Sequence, residues 1–237
     1  MENYLSQIFK LRKDFSEQEK ELIKKAYKFA EKSHRGQKLD GTEYPYFMHP
    51  AYAGFLLAKW KRGAEEICAG FLHDVYEDCE IHLDVLRRLF GHRVTFLVDG
   101  MSWERRWNPK EKMYLKDWEH FHKKRLDYIT QDIGLLYVLF SDELSNLDDI
   151  FPDKYKKLKK LSKEKLIKKK KRWSYIMKIL VPLYRELGLK KLVSHVENKI
   201  KPVTGNMKSE LYKYISKKDI QHLKKEISKN QDIEELK

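Results

Sequence analysis

Apolar positions along the chain recur mostly at three- and four-residue spacing, interrupted by short polar or glycine-bearing stretches, a pattern that predicts an all-α protein. Ser16 and Glu19 form a capping box ahead of a stripe made by Leu22, Ile23, Ala26, Phe29 and Ala30. That combination predicts a first helix ended by Gly36. Between Gly36 and His49 the chain carries Gly41, Pro45 and alternating aromatics, which predict a structured loop. Pro50 then suits the first turn of a second helix running to about Trp60. A third helix is predicted from about Ala64 to Tyr76, and it is apolar nearly all round through Ile67, Ala69, Phe71, Leu72 and Val75. Such a helix belongs at the centre of a bundle. Further helices are predicted at about 82–90, capped by Gly91, and at about 92–100, 111–130 and 132–147. Trp173–Leu187 and Leu189–Ile200 read as two packed helices separated by Gly188, and the weak polar pattern beyond Val203 predicts one or two marginal ones.

Composition changes this picture in one respect. The chain has 50 basic and 36 acidic residues among 237, a formal charge of +14, which taken globally points to a polyanionic partner. The excess is local, however: Lys154 to Arg172 holds twelve basic residues and one acid, Glu164, for a net +11. The rest of the chain is close to balance. Two cysteines, Cys68 and Cys79, are too few for a disulfide framework or a thiolate zinc site, so a reducing, cytoplasmic setting is expected. No stretch has the ~20 apolar residues of a membrane span, and a soluble protein is expected.

The chemistry concentrates where polar residues interrupt the third helix. Burying a charge is unfavourable unless it is paired or binds metal, so adjacent His73 and Asp74 in the most apolar helix require a partner. Imidazole with carboxylate suits a divalent ion such as Mn, Fe, Zn or Mg, and no thiolate biases the set toward soft metals. Adjacent helical residues point about 100° apart, so both reach one ion only near a helix end or groove, with ligands from other helices. His49, just before Pro50, and Asp142, just beyond the apolar run Leu135–Phe140, are candidates. Glu77 and Asp78 follow His73 and Asp74 at helical spacing, leaving a carboxylate pair to handle protons. An isolated His-Asp dipeptide is a weak signal, since one His or Asp in a helix is more often a satisfied structural residue. His34 either caps the first helix against its dipole or reaches into the site.

Several segments together carry a more specific signal. The runs His34-Arg35-Gly36-Gln37, Tyr44-Pro45-Tyr46-Phe47-Met48-His49-Pro50, Ala69 through Asp78, and Phe90-Gly91-His92-Arg93-Val94 with Leu97-Val98-Asp99-Gly100 closely resemble the hydrolase half of RelA/SpoT homologues. These are HD-domain enzymes that remove the 3′-diphosphate from (p)ppGpp. The resemblance is colinear over about residues 20–150, with a fainter echo at Pro182 to Gly188. It implies an HD-domain metal-dependent phosphohydrolase bundle, without a synthetase domain, carrying a C-terminal helical extension. It further implies that His49, His73, Asp74 and Asp142 hold one Mn²⁺. Glu77 and Asp78 would manage the attacking water and the leaving group, giving GDP or GTP and pyrophosphate.

The sequence departs from the family at the substrate side. Where the family has an arginine two positions after the first motif's Gln, this chain has Leu39, with Lys38 beside it as the candidate diphosphate contact. Lysine is a point charge and not a bidentate fork. The last metal motif, usually Lys-Leu-Ala-Asp-Arg-Leu-His-Asn, reads Leu139-Phe140-Ser141-Asp142-Glu143-Leu144-Ser145-Asn146. The metal-ligand Asp and the nucleotide-contacting Asn146 are kept while two basic residues are lost. The expected division is an HD phosphohydrolase domain over 1–150, a basic segment with helices packing on it over 151–202, and a polar helical tail over 203–237. A competing reading is a non-catalytic HD scaffold that binds nucleic acid or the ribosome through residues 154–172, or a protein partner. Salt-sensitive affinity would mark the nucleic-acid version. The oligomeric state is not legible in the sequence.

Overall fold

The computed structural model describes residues 4–39, 42–103, 105–108, 113–116, 118–147 and 172–229. They form two compact units, one from the start of the chain to Asn146 apart from 40–42, the other over 40–42 and from Leu147 onward. Helices dominate both. The first unit contains α1 (Tyr4–Leu11), α2 (Glu17–Ser33), α3 (Met48–Lys59), α4 (Ala64–Leu72), α5 (Val75–Asp78), α6 (Leu83–Met101), α7 (Trp118–Gln131) and α8 (Gly134–Leu147).

Local sequence explains most of these boundaries. At the start of α2 the Ser16 N–H donates to the Glu19 carboxylate at 2.8 Å, and the Glu19 N–H donates back to Ser16 Oγ at 3.3 Å. The capping box thus satisfies two of the helix's unpaired donors. Gly91 takes φ 85° and ψ 176° inside α6, so the two helices predicted on either side of it are joined through a kink. Only glycine reaches that backbone conformation without strain.

Packing centres on α4, which is buried along its whole length after Glu65 and lies against α2, α3 and α6. Its approach to α3 is set by glycines. A Cβ on Gly70 would lie 2.6 Å from Leu57 Cδ1 and 3.3 Å from the Gly54 Cα, and one on Gly54 would lie 2.1 Å from the Phe71 ring. Tyr27 of α2 closes the layer edge-on to both Phe47 and Phe71, with centroids 4.8 and 5.3 Å apart.

Two expectations need correction. The helix predicted over Ala64 to Tyr76 is broken: α4 stops at Leu72, His73 and Asp74 form a turn, and α5 begins at Val75. An all-apolar pattern carries no sign of such a break. The helix predicted from 111 begins instead at Trp118, because residues 105–108 and 113–116 pair as an antiparallel hairpin with Trp107 opposite Tyr114. Aromatic residues at paired positions favour strand over helix.

In the second unit a π-helical turn (Ile176–Leu180) leads into α9 (Val181–Glu186), followed by α10 (Lys190–Thr204), a 3₁₀ turn (Leu211–Lys213) and α11 (Lys217–Lys229). Pro182 cannot donate a backbone hydrogen bond, and the Lys178 carbonyl one turn earlier accepts from the Glu210 N–H at 2.8 Å. The Lys178 ammonium also pairs with Glu210 at 2.8 Å. A proline-induced fault in one helix thereby anchors the segment after α10. Ile220, Leu223 and Ile227 bury one face of α11, which answers the predicted marginal helix. Apart from Arg172, the lysine-rich run 154–172 proposed as a nucleic-acid contact lies outside the described residues. No helix among the described residues is long and apolar enough to cross a membrane.

Candidate metal centre

The break after Leu72 has a chemical consequence. Placed at the end of α4, adjacent His73 and Asp74 both reach toward one point. His73 Nε2 lies 3.1 Å from Asp74 Oδ2 and 3.2 Å from His49 Nε2, which enters from the first turn of α3. His49 Nε2 is 3.6 Å from the same Asp74 oxygen. From α8, Asp142 Oδ1 approaches His49 Nε2 at 3.2 Å and His73 Nε2 at 3.5 Å. His49, His73 and Asp74 thus bring three ligand atoms within 4.8 Å of one another, and Asp142 reaches both histidines from α8.

Each histidine is held by its other nitrogen. His73 Nδ1 donates to the Gly70 carbonyl at 2.8 Å, which leaves Nε2 directed into the cluster. His49 Nδ1 meets the Ser145 hydroxyl, one turn beyond Asp142 on α8. Such outer contacts fix the ring orientation and tautomer of metal-binding histidines. The donor set of neutral imidazole and carboxylate fits a divalent ion of borderline to hard character.

Electrostatics tie the four groups together. Burial, with the charge of His73 beside it, lowers the pKa of His49 and favours its neutral form. Burial also pulls His73 down, but the Asp74 and Asp142 carboxylates overcome it and hold His73 well above the usual imidazole range. Burial pushes Asp74 up, and the neighbouring His73 charge reverses this, so its carboxyl lies well below the ordinary carboxylate range.

The remaining predicted residues divide. Asp78 follows one turn after Asp74, with its N–H bonded to the Asp74 carbonyl at 2.9 Å. Desolvation and the Asp74 charge both raise its pKa. Glu77 accepts from the Trp103 backbone N–H at 2.7 Å, anchoring it to the segment after α6. Asn146 does not project away from the cluster: its amide donates to the Asp142 carboxylate at 2.7 Å and to the Asp142 carbonyl at 2.9 Å. Lys38 is exposed and pairs with Glu43 at 2.5 Å across the loop before α3. His34 caps α2 and also reaches the site's edge, with its Nδ1 2.8 Å from Gln37 Oε1 and 3.3 Å from Cys79 Sγ. Gln37 in turn donates to the Asp78 carbonyl at 3.0 Å.

Sequence reasoning gave no role to Tyr46 or Ser145. The Tyr46 hydroxyl donates to Asp74 Oδ2 at 2.6 Å, and Ser145 is fully buried against His49. For Ser145 a signal existed, since i, i+3 spacing puts it on the same face of α8 as Asp142. For Tyr46 none did, because its partner lies 28 residues away.

An adjacent His-Asp pair is thus joined by a histidine and an aspartate from neighbouring helices. Residues 26–167 match the family described as "HD domain", and the chain belongs to that family. Among curated relatives, a guanosine-3′,5′-bis(diphosphate) 3′-pyrophosphohydrolase from Spiroplasma citri is 30% identical over 219 residues, covering 91% of this chain and 27% of the relative. One of the same name from Aquifex aeolicus is 26% identical over 90% of this chain and 30% of the relative. A GTP pyrophosphokinase from Streptomyces coelicolor is 31% identical over 74% of this chain and 19% of the relative. The chain therefore spans less than a third of the length of these relatives.

Proposed function

We propose that this chain is a metal-dependent phosphohydrolase that removes the 3′-diphosphate from (p)ppGpp, or from a closely related cytoplasmic nucleotide, giving GDP or GTP and pyrophosphate. The observation that carries the reading is the cluster of His49, His73 and Asp74, with Asp142 against both histidines and Asp78 one turn beyond Asp74. The names of the relatives that match most of the chain support the substrate class. In this reading the enzyme acts on the nucleotide of the stringent response.

The four clustered residues would hold one divalent ion, for which Mn²⁺ is our assignment. Such an ion lowers the pKa of bound water toward about 7 and screens the phosphate charge. The chain's own residues supply the rest. Water adds at the phosphorus bearing the 3′ oxygen, the bond from phosphorus to that oxygen breaks, and pyrophosphate departs. The 3′ oxygen must gain a proton as it leaves. Asp78, whose pKa is raised by desolvation and by Asp74, is suited to give it. Glu77, fixed by the Trp103 N–H, is suited to orient the water and take its proton. Lys38 and Asn146 are the proposed nucleotide contacts; to serve, each must leave the carboxylate that now holds it.

The test is pyrophosphate release by the purified chain with Mn²⁺ and a panel of ppGpp, pppGpp, ppApp and NADPH. Turnover of ppGpp or pppGpp is expected. A chain that binds metal but turns over none of the four would sink the enzymatic reading and favour a binding scaffold.

A further inference from the structure

The Tyr46 hydroxyl is the polar group best placed to act on the centre from outside it. It donates at 2.6 Å to Asp74 Oδ2, the same oxygen that faces His73 Nε2 and His49 Nε2.

The ring's aim is fixed on several sides. Its centroid is 4.9 Å from that of His34 and 5.9 Å from that of His49, the latter edge-on. Its backbone N–H donates to the Gln37 carbonyl at 3.0 Å, and its carbonyl accepts from the His49 N–H at 3.0 Å. Gln37, held this way by Tyr46, reaches the Asp78 carbonyl with its side chain at 3.0 Å. The loop before α3 therefore grips Asp78 through its backbone by Gln37, and Asp74 through its carboxylate by Tyr46.

We propose that Tyr46 is a positioning residue that holds Asp74 Oδ2 toward the metal position. The proposal rests on the phosphohydrolase reading only for its effect on turnover; the effect on metal binding stands apart from it. Removing a partner that orients a metal-binding carboxylate typically weakens metal affinity 10–100-fold.

The experiment compares wild-type, Tyr46→Phe and Tyr27→Phe chains. Tyr27 packs beside the same loop on Phe47 and Phe71, so its variant reports loss of a neighbouring phenol without contact to the cluster. Mn²⁺ affinity is read by electron paramagnetic resonance, and folding by circular dichroism. Expected is a loss of affinity of about tenfold in Tyr46→Phe and less than twofold in Tyr27→Phe. Equal affinity in wild type and a folded Tyr46→Phe overturns the proposal, as does an equal loss in both variants. At saturating Mn²⁺, Tyr46→Phe is further expected to lower kcat on ppGpp at least fivefold with KM within twofold. An unchanged kcat overturns the effect of Tyr46 on turnover. A wild type that binds Mn²⁺ with the expected Tyr46 dependence but leaves ppGpp intact would refute the proposed function and leave Tyr46's role standing.

Discussion

His49 and His73 face each other through their Nε2 atoms, and the difference between them lies on the far side of each ring. His73 Nδ1 donates to a backbone carbonyl, which can only accept, so its tautomer follows from the turn itself. His49 Nδ1 meets a hydroxyl, which both donates and accepts, so its tautomer depends on Ser145. Replacing Ser145 by Ala leaves a buried ring nitrogen without that partner and is expected to weaken Mn²⁺ binding about tenfold. Nitrogen-15 NMR of the imidazoles should show His49 shifting toward a mixture of tautomers while His73 is unmoved. Identical spectra and affinity would remove Ser145 from the account. At this scale the sequence displayed the chemistry of the ligands, because His-Asp in an apolar stretch is anomalous wherever it occurs. It did not display their supports. Ser145 and His49 are 96 residues apart and Tyr46 and Asp74 are 28 apart, and nothing local in either stretch encodes the meeting.

The elements that bring the ligands together depend on the close approach of α3 and α4. Gly70 serves twice: it has no side chain to hold Leu57 and Gly54 away, and its carbonyl accepts from His73. A Gly70→Ala substitution places a methyl group 2.6 Å from Leu57 Cδ1 and 3.3 Å from the Gly54 Cα. Relief at Leu57 is open to a rotamer change, but the backbone of Gly54 has none to make. The expected loss of stability is about 1–3 kcal/mol by denaturant titration, together with weaker metal binding as His49 and His73 move apart. A variant as stable as wild type would contradict this account of the crossing. Much of the element pattern was legible beforehand. Capping residues, Gly91 and Pro50 act within a turn of where they stand, and the helices they delimit were read from them. The break between α4 and α5 was not, because its stabilising contacts come from α3 and α8, and an apolar run reads the same whether or not it bends. The pairing of 105–108 with 113–116 was hidden for a related reason: it joins positions five to eleven residues apart, outside the three- and four-residue spacing read around it.

For the molecule as a whole, net charge describes one part of the chain and the chemistry describes another. The +14 suggests a nucleic-acid binder, yet most of it falls between Lys154 and Arg172, while the cluster in the first unit carries Asp74 and Asp142, with Glu77 and Asp78 following Asp74 in the chain. An acidic centre accepts a polyanionic nucleotide only if a cation intervenes, so the proposed activity requires the metal. The most direct test pairs metal analysis with pyrophosphate release from ppGpp for wild type and Asp74→Ala, both checked for folding by circular dichroism. The account predicts about one Mn²⁺ per wild-type chain with release of pyrophosphate, and loss of both in the variant. A folded Asp74→Ala chain that keeps its metal and its full rate would contradict it.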